Sequence, residues 1–190
     1  MRKLIYYIAC TVDGFIARED GRFDFFPTEG EHLAYLVSEF PETIPVHLQN
    51  ELGVTRTNKH FDIVVMGRRT YEVGTNVGIR NPYPQMRQIV FSHTMSDQPD
   101  AAVELVREDA IGTIRQLKQE DGLDIWLCGG AELASALYSE IDELMLKVNP
   151  VAIGVGLPLF GRVEALRRFD LVANQVFNNG FMLNHYSVFI

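Results

Sequence analysis

Apolar and polar positions follow one another along this chain in a pattern that predicts strands and helices in turn. Short apolar runs between turn-forming residues are typical of buried strands, and apolar residues spaced three or four apart indicate helices. Strands are predicted at residues 4–10, 62–66, 88–92, 101–106, 123–128 and 143–151. Helices are predicted at residues 28–40, 109–119 and 131–141, with a short helix near 47–52 and a loop at 75–87. This alternation favours a largely parallel sheet with helices on both faces.

The first helix and the end of the chain carry the clearest local signals. Leu36 and Phe40 lie on one apolar face of the helix at 28–40, and Thr28 with Glu31 has the spacing of a capping box. Residues 169–177 and 181–189 read as two strands around Asn178-Asn179-Gly180, which predicts a tight antiparallel hairpin. The apolar ribbon at 181–190 would promote aggregation as an open edge, so we expect a homodimer.

Two junctions in this pattern combine a strand, a glycine and a helix. The run IVVMGRRTYE (63–72) places Gly67 between a buried strand and a helix that begins with two arginines. The run IWLCGGAELASA (125–136) repeats the arrangement with Gly129-Gly130. Glycine lets a ligand approach the backbone, and a helix N-terminus favours an anion, to which arginine adds bidentate phosphate recognition. Two such junctions predict a dinucleotide at the carboxyl edge of the sheet.

Composition excludes several other classes of protein. The 190 residues fit a single domain spanning 1–190, with 47% hydrophobic and 22% charged residues as in ordinary globular proteins. The net charge of -8 argues against a nucleic-acid surface. No apolar run approaches the ~20 residues of a membrane span. Cys10 and Cys128 each end an apolar run and are expected to be reduced, buried and inert, as in a cytoplasmic protein without a metal site.

The chain resembles the dihydrofolate reductase superfamily, and most of all the C-terminal reductase domain of bifunctional riboflavin-biosynthesis deaminase-reductases. Four segments carry the resemblance in the family order: YIACTVDGFIAREDG (7–21), VMGRRTYE (65–72), IWLCGGAELASAL (125–137) and PVAIGVGLPLF (150–160). The resemblance implies a three-layer α/β/α fold with a mostly parallel sheet that ends in an antiparallel C-terminal hairpin. It also implies NADPH as cofactor.

The resemblance assigns roles to individual residues. By this resemblance, residues 67–70 and 129–132 would hold the diphosphate. Arg68, Ser92 and His93 would hold the adenosine 2′-phosphate. Ala9, Ile16 and Ala17 would contact the nicotinamide. The implied cofactor-binding residues are Ala9, Ile16, Ala17, Gly67, Arg68, Arg69, Thr70, Ser92, His93, Gly129, Gly130, Ala131 and Glu132.

The resemblance leaves the chemistry of the substrate side open. Asp13, in the loop over the nicotinamide, is the implied catalytic residue, with water as the alternative proton source, and Tyr71 is the implied substrate contact. Dihydrofolate reductases carry an acid on the first helix, but Glu29 and Glu31 are equally suited to capping that helix.

The implied function is an NADPH-dependent reductase of a small C=N or C=O substrate, resembling 5-amino-6-(5-phosphoribosylamino)uracil reductase. The alternatives are a non-catalytic nucleotide-binding or regulatory protein on the same fold and a true dihydrofolate reductase. Neither a nucleic acid nor a membrane is an expected partner.

Overall fold

The structure, a computed structural model, describes residues 1–54, 57–96 and 100–189. Within these ranges the strands are β1 (Leu4–Thr11), β2 (Phe15–Ala17), β3 (Phe61–Gly67), β4 (Arg87–Phe91), β5 (Val103–Val106), β6 (Asp124–Gly129), β7 (Glu143–Asn149), β8 (Leu157–Pro158), β9 (Phe169–Val176) and β10 (Met182–Val188). The helices are α1 (Glu31–Glu39), α2 (Val46–Gln49), α3 (Arg68–Thr75), α4 (Ala110–Leu117) and α5 (Ala131–Ala136). Short 3-10 helices span Pro41–Thr43 and Tyr138–Glu140.

Eight of these strands form one sheet in the order β5-β4-β3-β6-β1-β7-β10-β9. Strands β5, β4, β3, β6, β1 and β7 are parallel, and β10 runs antiparallel to both β7 and β9. The turn between β9 and β10 is closed by the Phe177 N–H, which donates to the Phe181 carbonyl at 3.0 Å, and Gly180 adopts a φ of 84°. The predicted parallel sheet and C-terminal hairpin are therefore confirmed.

Helices cover both faces of the sheet, which gives the predicted three layers. Leu36 of α1 and Tyr71 of α3 join Tyr7 and Trp126 in one apolar cluster, on what we call the α1 face. The helices α4 and α5 pack on the opposite face, the α5 face, where Leu133 joins a second apolar cluster. Central strands are apolar on both sides because both faces are covered.

Several predicted helix boundaries are wrong. The first helix begins at Glu31 rather than residue 28, because Gly30 with a φ of 127° turns the chain immediately before it. No side chain caps this helix, so the predicted Thr28–Glu31 capping box is absent. The last predicted helix ends at Ala136 and continues as the 3-10 helix, although Leu137 and Ile141 are buried as the apolar stripe requires.

The expected open edge is also in a different place. Strand β10 lies inside the sheet between β7 and β9, so the apolar ribbon is paired on both sides as far as Val188. Ile190, its last predicted residue, lies outside the described residues. The outer strand at this end of the sheet is β9, where Leu171, Val172 and Val176 are each more than half exposed. None of the helices in the described ranges has the length and apolar character that crossing a bilayer requires.

The small antiparallel sheet of β2 and β8 ties two loops together at the carboxyl edge of the large sheet. Ala17 pairs with Leu157, and the Leu159 N–H donates to the Gly14 carbonyl at 2.9 Å. A hydrogen bond of 2.9 Å from the Val12 N–H to the Val151 carbonyl joins the same loops. The sequence did not predict β2 or β8, because strands of three and two residues show no periodicity.

Gly156 is required for this close approach of β2 and β8, and its replacement tests the arrangement. A Cβ atom at this position would lie 2.3 Å from the Ala17 carbonyl oxygen and 2.8 Å from Ile153 Cδ1. We expect Gly156→Ala to lower the free energy of unfolding by about 1–3 kcal/mol, as overpacking does, in urea denaturation. The neighbouring control Val155→Ala, at a residue 63% exposed, should change it by less than about 0.5 kcal/mol. Equal stability of the two variants would contradict the contact.

Candidate active site

The two strand–glycine–helix junctions meet at the carboxyl edge of the sheet. Strands β3 and β6 are neighbours, and Met66 pairs with Gly129. A Cβ atom on Gly67 would lie 3.7 Å from both the Gly129 carbonyl oxygen and the Gly130 nitrogen. The fold therefore brings together two glycine segments that are more than 60 residues apart in the sequence.

Side chains of the protein leave the space beside these glycines open. A Cβ atom on Gly130 would meet only the Thr70 hydroxyl, at 3.6 Å, and one on Gly129 would meet Ile8 and Thr70 no closer than 3.6 Å. Gly67 has a φ of −75°, which any residue adopts, and its Cβ would make only ordinary contacts. The Gly129–Gly130 peptide bond is cis. Packing within the protein thus does not require glycine at 67 or 130, whereas close approach of a ligand to the backbone does.

Both helices that begin at this point present an uncapped N-terminus. Gly67 is the N-cap of α3 and Gly130 that of α5, and neither helix has a side-chain cap. The first turn of α3 holds Arg68 and Arg69 and no acid. Two cations at the positive end of a helix are unfavourable unless an anion lies between them and the helix. The junction therefore fits a diphosphate.

Among the described residues, the ion-pair partners of the two arginines are solvent-accessible carboxylates. Arg68 Nη1 lies 3.3 Å from Glu72 Oε1 on the same helix, and its side chain is 41% exposed. Arg69 Nη1 lies 3.9 Å from Glu132 Oε1 on α5, so these two residues face each other across the junction. Exposed ion pairs of this kind contribute about 0–1 kcal/mol, so a phosphate can displace them.

The segment after β4 lies beside α3. The Ser92 hydroxyl oxygen accepts hydrogen bonds from the N–H groups of Thr94 and Met95, and His93 is exposed. Thr94 and Ser96 line a groove of about 290 Å³ together with Arg68 and Arg80. Ser92 thus shapes the turn that presents Thr94, and Thr94 and Ser96 are groove residues absent from the predicted set.

The residues predicted to contact a nicotinamide lie near the same edge. Ala9 is half-buried near the end of β1, and Ile16 and Ala17 belong to β2, where Ile16 is half-buried and Ala17 buried. Ile8 and Ala9 are half-buried although β1 is a central strand, whereas Cys10 and Thr11 after them are buried, so the covering layers leave an opening over Ile8 and Ala9. We call this opening the cleft, and it lies on the strand next to the second glycine junction, because β1 is the neighbour of β6.

The Asp13 carboxylate accepts hydrogen bonds that join the loop after β1 to the loop before β8. Its carboxylate accepts hydrogen bonds from the Thr11 hydroxyl at 2.5 Å, the Gly154 N–H at 2.8 Å and the Ile153 N–H at 3.1 Å. These hydrogen bonds, with that of Thr11 the strongest, lower the pKa of Asp13 below its ordinary value. An acid held in its ionised form is a poor proton donor, so this position argues against the predicted catalytic role.

Tyr71 is likewise structural. Its ring is 1% exposed within the apolar cluster of the α1 face. Its hydroxyl donates to the Arg80 carbonyl at 2.6 Å and accepts from the Asp100 N–H at 3.2 Å. The fold thus uses both the ring and the hydroxyl, but Tyr71 also lines the groove beside α3, so its contact with substrate stays a prediction.

The acids of α1 do not supply a carboxylate to the cleft. Glu31 is exposed and lies 3.2 Å from the amide of Asn178, and Glu39 pairs with His60 at 2.9 Å. The buried residue of the first turn is His32, which stacks on Phe181 and contacts the Asn179 amide at 2.9 Å. The first turn of α1 therefore buries a histidine and not a carboxylate.

Sequence reasoning missed one charged residue near the cleft, Lys147. It lies in β7 directly beside Ala9 of β1, and its ammonium lies 4.1 Å from the centre of the Tyr7 ring. The signal was a lysine inside the apolar run Leu144-Met145-Leu146-Lys147-Val148. Both cysteines are free, and Cys10 is buried as predicted, whereas Cys128 is only half-buried. Burial raises the pKa of Cys10 to about 11 and of Cys128 to about 12.

A second groove lies at the opposite end of the sheet, where the strands begin. It has a volume of about 650 Å³ and is lined in part by Glu39, His60, Glu143 and His185. His185 pairs with Glu143 at 2.7 Å, and Lys3 pairs with the same carboxylate. His60 is likewise paired with Glu39, and the groove lies at the edge away from both glycine junctions.

Comparison with known proteins places this geometry in a family. The chain is 34% identical over 190 residues to YwjB of Bacillus subtilis, with 97% of each chain covered. The bifunctional deaminase and 5-amino-6-(5-phosphoribosylamino)uracil reductase of Thermotoga maritima superposes with a TM-score of 0.67 at 18% identity, over 99% of this chain and 57% of that one. Dihydrofolate reductase of Enterococcus faecalis, complexed with NADP(H), superposes with a TM-score of 0.61 at 16% identity, over 98% and 96% of the two chains.

These similarities establish the fold as that of dihydrofolate reductase. The profile of the RibD C-terminal domain matches residues 2–183, which is nearly the whole chain. The chain therefore belongs to the RibD C-terminal domain family.

Proposed function

We propose that the protein is an NADPH-dependent reductase that transfers hydride to a small C=N or C=O substrate. The observation that carries this proposal is the open space between Gly67, Gly129 and Gly130, bordered by two uncapped helix N-termini and by Arg68 and Arg69. Membership of the RibD C-terminal domain family supports a reductase of the riboflavin-pathway type. The Enterococcus relative of the same fold was complexed with NADP(H).

Binding follows from the arrangement of the two junctions. The first N–H groups of α3 and α5 donate hydrogen bonds to a diphosphate, and the glycines allow it to reach them. Arg68, with the polar groups of Thr94 and Ser96 in the adjoining groove, binds the 2′-phosphate that distinguishes NADPH from NADH. Ala9, Ile16 and Ala17 position the nicotinamide at the end of β1.

Catalysis by such a protein consists of positioning and electrostatics. When bound, NADPH supplies the hydride for the acceptor carbon. Ala9 and the loops joined by β2 and β8 hold the reacting groups in line and exclude water from the cleft. Because α1 contributes no carboxylate to the cleft, a non-folate substrate is favoured over dihydrofolate.

Replacement of Arg68 tests the cofactor. A charge-assisted hydrogen bond to phosphate contributes about 1.5–3 kcal/mol, so Arg68→Ala should weaken NADPH binding about ten- to hundredfold in calorimetric titration. NADH binding should change less than about threefold, since it lacks the 2′-phosphate. Arg162→Ala, at an arginine with 90% side-chain exposure, is the matched control. Failure of the wild-type protein to bind either nucleotide would exclude the reductase function, and equal losses for NADPH and NADH would exclude the phosphate role of Arg68.

Replacement of Gly67 tests whether glycine is required at this position for NADPH binding or for the stability of the fold. Gly67→Ala meets no atom closer than 3.7 Å and requires no unusual backbone, so the melting temperature should be unchanged or slightly raised. The added methyl group lies where the diphosphate approaches, so NADPH affinity should fall at least about tenfold. Thermal denaturation and calorimetry measure the two effects. Unchanged affinity in a stable variant would show that the cofactor does not approach this glycine.

The exposed outer strand β9 supports a homodimer. Leu171, Val172 and Val176 leave an apolar strand edge exposed, which is a surface prone to pair with another chain. We expect light scattering to give the mass of a dimer at micromolar concentration, and Leu171→Lys with Val172→Lys to give a monomer. The matched control is Val12→Lys, at a residue 58% exposed in a loop outside β9. A monomeric wild-type protein, or a dimer that survives both replacements in β9, would contradict assembly through this edge.

A further inference from the structure

Lys147 is a half-buried cation on the α1 face of the sheet. It lies in β7, one of the inner strands, and its side chain points to the α1 face, where the ammonium lies over the Tyr7 ring at 4.1 Å. Among the described residues no carboxylate forms an ion pair with it. Lys147 is half-buried, and the partner that its charge meets is the face of the Tyr7 ring.

The position of Lys147 is in the cleft at the end of β1. Ala9 is its register partner, and Cys128 of β6 lies on the same α1 face. Ala9, Cys128 and Lys147 are all half-buried although they belong to three adjacent inner strands. Because residues of inner strands are partly exposed here, α1 does not cover this part of the α1 face. Lys147 is the charged side chain among these three residues.

The other titratable groups around Lys147 hold their protons or are neutral. On β1 they are Tyr7 and Cys10, and on β6 Cys128, which contacts Tyr83 from the segment before β4. Burial raises the pKa of the two thiols and two phenols. On α1, burial lowers the pKa of His32, so its imidazole is neutral near pH 7.

Among the described titratable groups of this opening, Lys147 is thus the one with both a charge and a proton to give. Burial lowers the pKa of its ammonium to about 8. An acid whose pKa lies near the working pH is well matched to proton transfer in catalysis. Asp13, in contrast, is held in its ionised form by three hydrogen bonds.

We propose that Lys147 is the catalytic acid of the cleft, and that it contacts the oxygen or nitrogen of a carbonyl or imine whose carbon receives hydride. This assignment rests on the proposed reductase function. The C4–H bond of NADPH breaks and its electron pair forms the new C–H bond. The π electrons of the C=O or C=N bond move to the heteroatom and take the proton of the Lys147 ammonium. The products are NADP⁺, an alcohol or amine, and a neutral lysine, which water reprotonates.

The experiment compares Lys147→Met and Lys147→Arg with the wild-type protein. NADPH oxidation is measured against a panel of aldehydes, 2-oxo acids, cyclic imines and dihydrofolate between pH 6 and pH 10. The wild-type kcat should fall as pH rises through about 8, because the acid must be protonated. Both variants should lower kcat about 100-fold or more and lose this pH dependence, since arginine keeps its charge but does not release its proton. Lys147→Arg should keep KM closer to that of the wild type than Lys147→Met does.

Calorimetry with NADPH supplies a second measurement that does not depend on turnover. NADPH affinity of both variants should stay within about threefold of the wild type, because Lys147 contacts the acceptor and not the diphosphate. Lys59→Met is the control, because Lys59 lies by the groove at the opposite end of the sheet, and it should retain kcat and pH profile.

Three other outcomes would each overturn the assignment of Lys147, and they differ in what else they refute. Variants that keep kcat and the pH profile would remove Lys147 from the chemistry and leave the reductase function intact. A wild-type protein that binds no NADPH would refute the reductase function and the acid together. A wild-type protein that binds NADPH and reduces no member of the panel would refute the role of Lys147 as an acid for these carbonyls and imines.

Discussion

The contact between Gly67 and the Gly129-Gly130 pair is the constraint on which the rest of this structure depends. Two parallel strands, β3 and β6, must lie side by side and end at the same level for these glycines to meet. The topology achieves this by inserting β6 between β3 and β1 after the chain has already formed β4 and β5. The helices that follow β3 and β6 then lie on opposite faces, with their N-termini converging on one point at the carboxyl edge.

The charged groups at the two edges of the sheet differ in how closely they are paired. At the amino edge charged groups are paired: Arg2 is buried against Asp62, and His185 and Lys3 share Glu143. At the carboxyl edge Arg68 and Arg69 face exposed carboxylates at 3.3 and 3.9 Å, and Lys147 has no carboxylate among the described residues. The protein carries a net charge of -8, so two arginines in the first turn of one helix are a local feature and not a consequence of composition.

The sequence predicted the parts of the fold that rest on long patterns. Strands β3 and β6, with the glycine and helix that follow each, were predicted because a buried apolar run, a glycine and an amphipathic helix are all local signals. The start of α1 was not predicted from the sequence, because it depends on the backbone of Gly30 and not on a capping side chain. The roles of Asp13 and Tyr71 were also inaccessible, since their hydrogen-bond partners Gly154 and Asp100 are set by the tertiary fold. Lys147 was overlooked because a strand pattern does not reveal which neighbour a side chain meets.

Backbone amide spectra of the protein titrated with NADPH would test the central claim most directly. If the two junctions hold the diphosphate, the largest shift changes will fall on the N–H groups of Arg68, Arg69, Thr70, Ala131 and Glu132, which begin α3 and α5. Changes at both segments at the same nucleotide concentration would show that one ligand bridges them. Changes confined to the groove around His60 and His185, with the glycine junctions unaffected, would contradict the account.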